Sequence, residues 1–295
     1  RVIRLAPQAS AKQVSDLQYR LLPDPLERTP GNAASLWRLA SEALRRAPSK
    51  MTEKEHTWRS ADLTPLKDLP RREVKAFLTS LRGALRLAHE AGRRERCDWE
   101  IPPLTLQSLQ EFLPLEGLQR CRELAVLLGI EYRFALAEGR YDAAAETLQT
   151  GFALARHLAE SDLLINHLVG IAIASIVMSH VEEWMQMPGS PNLYWPLTAL
   201  PQPLLDVRRA VEQDLNTIHR SMPHLRELRQ RTWTEREVDV LVEQFVSLTK
   251  GLAGEGRAPK ELKAVLGLSK ADEIARAYPQ ARRHLIDVGR AEKEV

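Results

Sequence analysis

Apolar residues recur along this chain at intervals of three and four, and almost nowhere at intervals of two. Leu36, Leu39, Ala40, Ala43 and Leu44 make one such stripe, entered through a Thr29-Pro30-Gly31-Asn32 turn that supplies an N-cap and closed by Pro48. Val74, Phe77, Leu78, Leu81, Leu85 and Ala88 make a second, which predicts one helix over 72–91 with Gly92 as its stop. The strongest periodicity runs from Cys121 to Met187. It predicts three long consecutive helices, the first entered at Pro114 and ending near Glu138, with a Gly139-Arg140-Tyr141-Asp142-Ala143-Ala144 turn before the second.

The flanking chain is more broken. Residues 1–12 read as an extended leader, and short helices are predicted over 13–22 and 104–113. Pro188, Pro191, Pro196, Pro201 and Pro203 forbid a continuous helix and make a stiff loop over 188–203. A helix is predicted from Leu204 to Ser221. Another starts at the Thr234–Glu237 capping box and carries Val238, Leu241, Val242, Phe245 and Leu248 until Gly251, Gly254 and Gly256 end it. This divides the chain into the leader, a main helical domain over 13–253 and a C-terminal helical segment over 254–295 that packs on it.

Composition agrees with this reading. Aromatic residues are only 5%, while Ala, Leu, Arg and Glu, all good helix formers, dominate. The expected fold is therefore all-α, without a sheet: antiparallel helical hairpins in a right-handed stack around a buried central helix. Charge changes the picture little. The 42 basic and 39 acidic residues leave a net +3 and are interleaved along the helices, so no basic stripe for nucleic acid is expected. Cys97 and Cys121 fit no metal spacing; two buried thiols are expected, with one disulfide as the alternative. Leu163–Trp184 is the most apolar stretch, but Asn166, His167, Ser175, Ser179, His180 and Glu182-Glu183 interrupt it, and no transmembrane span is expected. The first residue is Arg1 and not Met, which leaves export after removal of a signal peptide open beside a cytoplasmic location.

Candidate chemistry is sparse. On the third central helix, His167, Gly170, Ala174, Met178 and Val181 share a face, while Leu164, Ile165, Leu168, Ile171, Ile173 and Ile176 fill the others. A helix apolar all round is expected to be a buried strut, with His167 a hydrogen-bonded core residue; the alternative is a pocket beside His167 and Asn166. His157 shares a face with Glu146 and Thr150 and is expected to point to solvent. His180 lies roughly 20 Å beyond His167 along the axis, so no metal site converges and no cofactor is implied. His180, Glu182 and Glu183 read as a solvated helix end, and His219 and His224 as surface residues. No catalytic motif occurs, so no catalytic residue is named. Tyr194 and Trp195, in the proline-stiffened loop, either anchor a partner or fold back over the central helices.

At Ala135, Gly139, Tyr141, Ala144 and Leu148, with Asp142 opening the second helix, the chain resembles a tetratricopeptide-type helical repeat over about forty residues. Tyr132 and Gly151 depart from that family's pattern, and the closing proline is missing. The chain also resembles a set of bacterial all-helical proteins of unknown function with a Thr-Pro-Gly-Asn-Ala-Ala motif like Thr29–Ala34, which implies no activity. The repeat resemblance implies a non-catalytic scaffold that binds a protein or peptide in a groove lined by the central helices. The alternatives are a hydrolase-type enzyme with a pocket at His167, which requires a carboxylate within hydrogen-bond reach, and a lipid-binding helical protein.

Overall fold

The computed structural model describes residues 19–47, 51–100, 115–221 and 236. Their helices are α1 (Ala33–Arg46), α2 (Glu53–Thr57), α3 (Arg71–Ser80), α4 (Arg82–Gly92), α5 (Leu115–Ala137), α6 (Tyr141–Leu158), α7 (Leu164–Met185), α8 (Tyr194–Thr198) and α9 (Arg208–Ser221). The helical class is as the periodicity predicts. The expected absence of a sheet is corrected: β1 (Thr29–Asn32) pairs in parallel with β2 (Arg94–Arg96).

The Thr29–Asn32 motif does more than cap a helix. Gly31 sits at φ +124°, where L side chains are strained, and breaks the β1–β2 register between Thr29 and Asn32. A Cβ there would lie 3.1 Å from Arg94 Nη1. Asn32 is the N-cap of α1, its Oδ1 accepting from the Ala34 N–H at 3.1 Å. The same oxygen accepts from the Asp98 N–H at 2.9 Å, and Asn32 Nδ2 donates to the Asp98 carbonyl at 2.7 Å. One side chain thus starts α1 and ties it to the segment after β2.

The single helix expected over 72–91 is two, α3 and α4, broken at Leu81. Just before the break, the Thr79 and Ser80 hydroxyls donate to the Lys75 and Phe77 carbonyls, and such back-bonding bends helices. α1 packs on α4 and α5, α4 packs on α6, and α5, α6 and α7 pack on one another. Trp37, Trp184, Tyr132 and Phe152 are among the largest side chains fully buried in this core. Between α5 and α6, Gly139 at φ +70° allows a Schellman ending: the Gly139 N–H donates to the Leu136 carbonyl and the Arg140 N–H to the Ala135 carbonyl.

α6 and α7 touch backbone to backbone. A Cβ on Gly170 would lie 2.7 Å from the Ala155 carbonyl oxygen, a main-chain atom with nowhere to go. Gly83, exposed on α4, would meet nothing within 4 Å. The same substitution should therefore change stability in opposite directions. Gly83→Ala is expected to stabilise by about 0.5–1 kcal/mol through helix propensity. Gly170→Ala is expected to destabilise by about 1–3 kcal/mol through overpacking. Urea denaturation of the two variants checks this, and equal signs would refute the close approach.

α7 buries Asn166, His167, Gly170, Ile173, Ala174, Val177, His180, Val181 and Trp184, and leaves Leu168 and Ile171 exposed. The expectation that it is buried all round is corrected accordingly. Among the described residues it is the one helix long and apolar enough to cross a membrane. The chain divides into two compact units, one of Arg1–Glu100 and Pro114–Val211, the other of Ile101–Leu113 and Glu212–Val295. Most of the second unit, including the helices expected over 104–113, from Thr234 and within 254–295, lies outside the described residues, as does most of the helix expected over 13–22.

Candidate functional site

His167 and Asn166 start α7. His167 is buried, and its one hydrogen-bond partner among the described residues is the Leu163 carbonyl, 3.2 Å from Nδ1. Asn166 Nδ2 donates to Ser161 Oγ at 2.8 Å, and that oxygen also accepts from the Leu163 N–H at 3.1 Å. These residues build the α6–α7 turn. No described carboxylate comes within hydrogen-bond reach of His167, so the condition set for a hydrolase pocket there is not met among the described residues. Asn166 Oδ1 remains buried without a partner.

Tyr194 and Trp195 occupy α8, a five-residue helix inside the proline-rich loop. Leu193 before them is 2% exposed and Pro196 after them is buried, so the helix is fastened from both sides. Tyr194 and Trp195 themselves are 61% and 48% exposed, their rings edge to face at 5.1 Å. The segment that reaches the core is Leu193 and Pro196, not the two large rings.

Sequence reasoning missed the polar centres on the central helices. His157, expected in solvent, is buried at the end of α6, where its Nδ1 accepts from Trp37 Nε1 at 3.0 Å. Its carbonyl accepts from Trp99 Nε1 at 2.7 Å. The Trp37 hydrogen bond to Nδ1 fixes the neutral tautomer with the proton on Nε2. Burial, and then the neighbouring guanidiniums of Arg156 and Arg28, hold the His157 pKa down at about 4. One turn on, Glu160 Oε2 accepts from the Cys97 N–H at 2.7 Å; burial raises its pKa against the opposing pull of that N–H, Arg156 and Arg28. Arg28, Arg94, Glu95, Arg156, His157 and Glu160 line an open pocket of about 30 Å³ between the β1–β2 ribbon and the end of α6.

A second centre joins α4, α5 and α6. Thr150 Oγ1 donates to the Glu146 carbonyl at 3.0 Å, so at 2.8 Å it accepts from His89 Nδ1. His89 Nε2 lies 2.8 Å from Glu131 Oε2. Burial lowers the His89 pKa, but the hydrogen bond and charge of Glu131 outweigh it and leave the pKa raised, in keeping with an imidazolium donating from both nitrogens. Although hydroxyl, imidazole and carboxylate stand in a row, the Thr150 proton is committed to its own helix and Thr150 is buried. The arrangement braces three helices.

The third centre is Arg133, 0% exposed. Its Nε donates to both oxygens of Glu183 at 3.0 Å, and its two terminal nitrogens donate to the carbonyls of Trp58 at 2.5 Å and Thr64 at 2.6 Å. Beside it, His180 is buried, correcting its expected solvation, and Tyr132 donates to the His180 carbonyl at 2.7 Å. His180 Nε2 faces Gly129 so closely that a Cβ there would stand 2.5 Å away. Glu183 is likewise drawn into the fold and not left in solvent. Burial raises its pKa, and Arg133 and His180 more than reverse this, leaving it low.

Cys97 and Cys121 are free and buried, and burial first of all pushes both thiols up, Cys121 to about 12. Among the described residues no group of three His, Cys, Asp or Glu could hold a metal ion. His224 and the side chain of His219 lie outside the described residues. Comparison with known proteins finds no matching family model, no matching curated protein and no matching solved structure.

Proposed function

We propose that the chain is a non-catalytic helical scaffold that binds a protein or peptide partner, with Tyr194 and Trp195 as its anchors. The observation that carries this reading is their exposure on a helix fastened by Leu193 and Pro196. Pre-positioned aromatic rings give a large contact area at low entropic cost, and truncating such anchors weakens binding by about 2–4 kcal/mol. The same reading treats α5 and α6 as a degenerate tetratricopeptide-like hairpin. It is supported by the Gly139 turn and by Tyr141, whose ring stacks on that of Trp184 in α7 at 6.0 Å.

The test is a Tyr194→Ala/Trp195→Ala double variant, assayed by thermal melting and by affinity capture with identification of the bound proteins. Exposed residues away from the core change stability by about 0.5 kcal/mol or less, so the melting temperature should hold while a captured protein is lost. Unchanged capture, or a large drop in melting temperature, would sink the proposal. The exposed Leu168 and Ile171 on the apolar α7 favour a second reading, in which the chain rests on a lipid surface. Co-sedimentation with phosphatidylcholine vesicles separates the two.

A further inference from the structure

We propose that the pocket between the β1–β2 ribbon and the end of α6 is a binding site for one oxyanion group, a carboxylate or a phosphoryl, held by Arg28 and Arg156. This site is independent of the Tyr194–Trp195 surface. Three guanidiniums line it, and they are not equivalent. Arg94 is engaged: Nη1 donates to the Pro30 carbonyl at 2.6 Å and Nη2 to Glu90 at 2.9 Å. Its Nε stays buried without a partner. Arg28 and Arg156 make no hydrogen bond or ion pair with any described residue, yet stand near enough for each to oppose the other's charge. Burial and then Arg28 lower the Arg156 pKa, a direction that only unfavourable surroundings give a guanidinium.

The obvious counter-ion attracts the guanidiniums without binding them. Glu160 lines the same pocket, but its Oε2 takes the Cys97 N–H at 2.7 Å, and it forms no ion pair with Arg28 or Arg156. Glu95, the other acid there, sits exposed on β2. His157 contributes no charge, because Trp37 occupies Nδ1 and the fold keeps the ring neutral; its remaining N–H is a donor. Among the described residues, then, Arg28 and Arg156 bring guanidinium donors to the pocket that have no protein acceptor, and an arriving oxyanion would supply one. An oxyanion suits it, since guanidinium forks match carboxylate and phosphoryl oxygens two at a time. The space of about 30 Å³ admits the charged head only, and the opening leaves the rest of a ligand outside.

The experiment titrates the full chain with inorganic phosphate and, separately, with acetate at constant ionic strength, reading melting temperature and heat of binding. At least one anion should give a saturable rise in melting temperature, and which one does so distinguishes phosphoryl from carboxylate chemistry. Arg156→Gln and Arg28→Gln should each raise the dissociation constant about tenfold or more. Arg156→Lys, which keeps the charge and loses the fork, should fall between. Because the variants relieve like-charge repulsion, neither should melt below the wild type; should one fail to fold, the other carries the test. No saturable shift with either anion, or identical shifts in wild type and variants, would overturn the proposal.

Discussion

Replacing Arg133 with Met is expected to lower the free energy of unfolding by about 3–5 kcal/mol, the range for breaking a buried ion pair from one side. Against a total of about 5–15 kcal/mol for an ordinary domain, that is a large share of the stability, and at the low end of the range nearly all of it. Met fills similar space, so the loss comes from the partners left behind. Glu183 would keep a carboxylate that is largely enclosed, and the Trp58 and Thr64 carbonyls would lose their donors. Arg133→Met/Glu183→Leu should recover a substantial part of the loss, because two apolar side chains in contact leave no charge stranded. Urea denaturation of wild type, both single variants and the double variant measures the coupling. A single-variant loss under about 1 kcal/mol would show that the network is dispensable.

Acid is expected to act through His157. An ordinary imidazole titrates near 6.5 and this one near 4, so the fold favours the neutral ring. The contribution is therefore full above about 6.5 and is lost as the pH falls from there toward 4. The gap between those values corresponds to on the order of 3 kcal/mol. Other groups respond to acid too, Glu183 among them, so the assignment rests on a difference between proteins. His157→Asn places an amide oxygen where Trp37 Nε1 needs an acceptor and removes the titration. Its unfolding free energy should fall less steeply than the wild type's between pH 7 and pH 4. His157→Leu strands the Trp37 N–H and should cost about 1–3 kcal/mol already at pH 7. Equal acid slopes in wild type and His157→Asn would remove His157 from the account.

The helices could be read from the chain because each is written locally: a stripe, a cap, a stop. Asn32 and Gly139 show this well, since both were expected at helix boundaries and the structure puts them there. The polar centres could not be read that way. A helical wheel assigns one side to the core and the other to water, which placed His157 with Glu146 and Thr150 in solvent. But α6 is packed by α5, α7 and α4, and Trp37 of α1 reaches its end at His157. Arg133 hides for the same reason. Its carbonyl partners lie 75 and 69 residues away, and nothing in its neighbours' periodicity announces them. The parallel ribbon escaped because Thr29–Asn32 reads as a turn until Arg93–Arg96 lies beside it.

The bond between Trp37 and His157 spans 120 residues of chain. Closing so long a loop adds little free energy, because that entropy grows only with the logarithm of length. In time the separation is larger. A ribosome adding 5–20 residues each second needs roughly 6–24 s to pass from one partner to the other. Through that interval the nascent chain holds an indole N–H whose acceptor has not yet been made. Any fragment that stops short of α6 keeps it in that state for good.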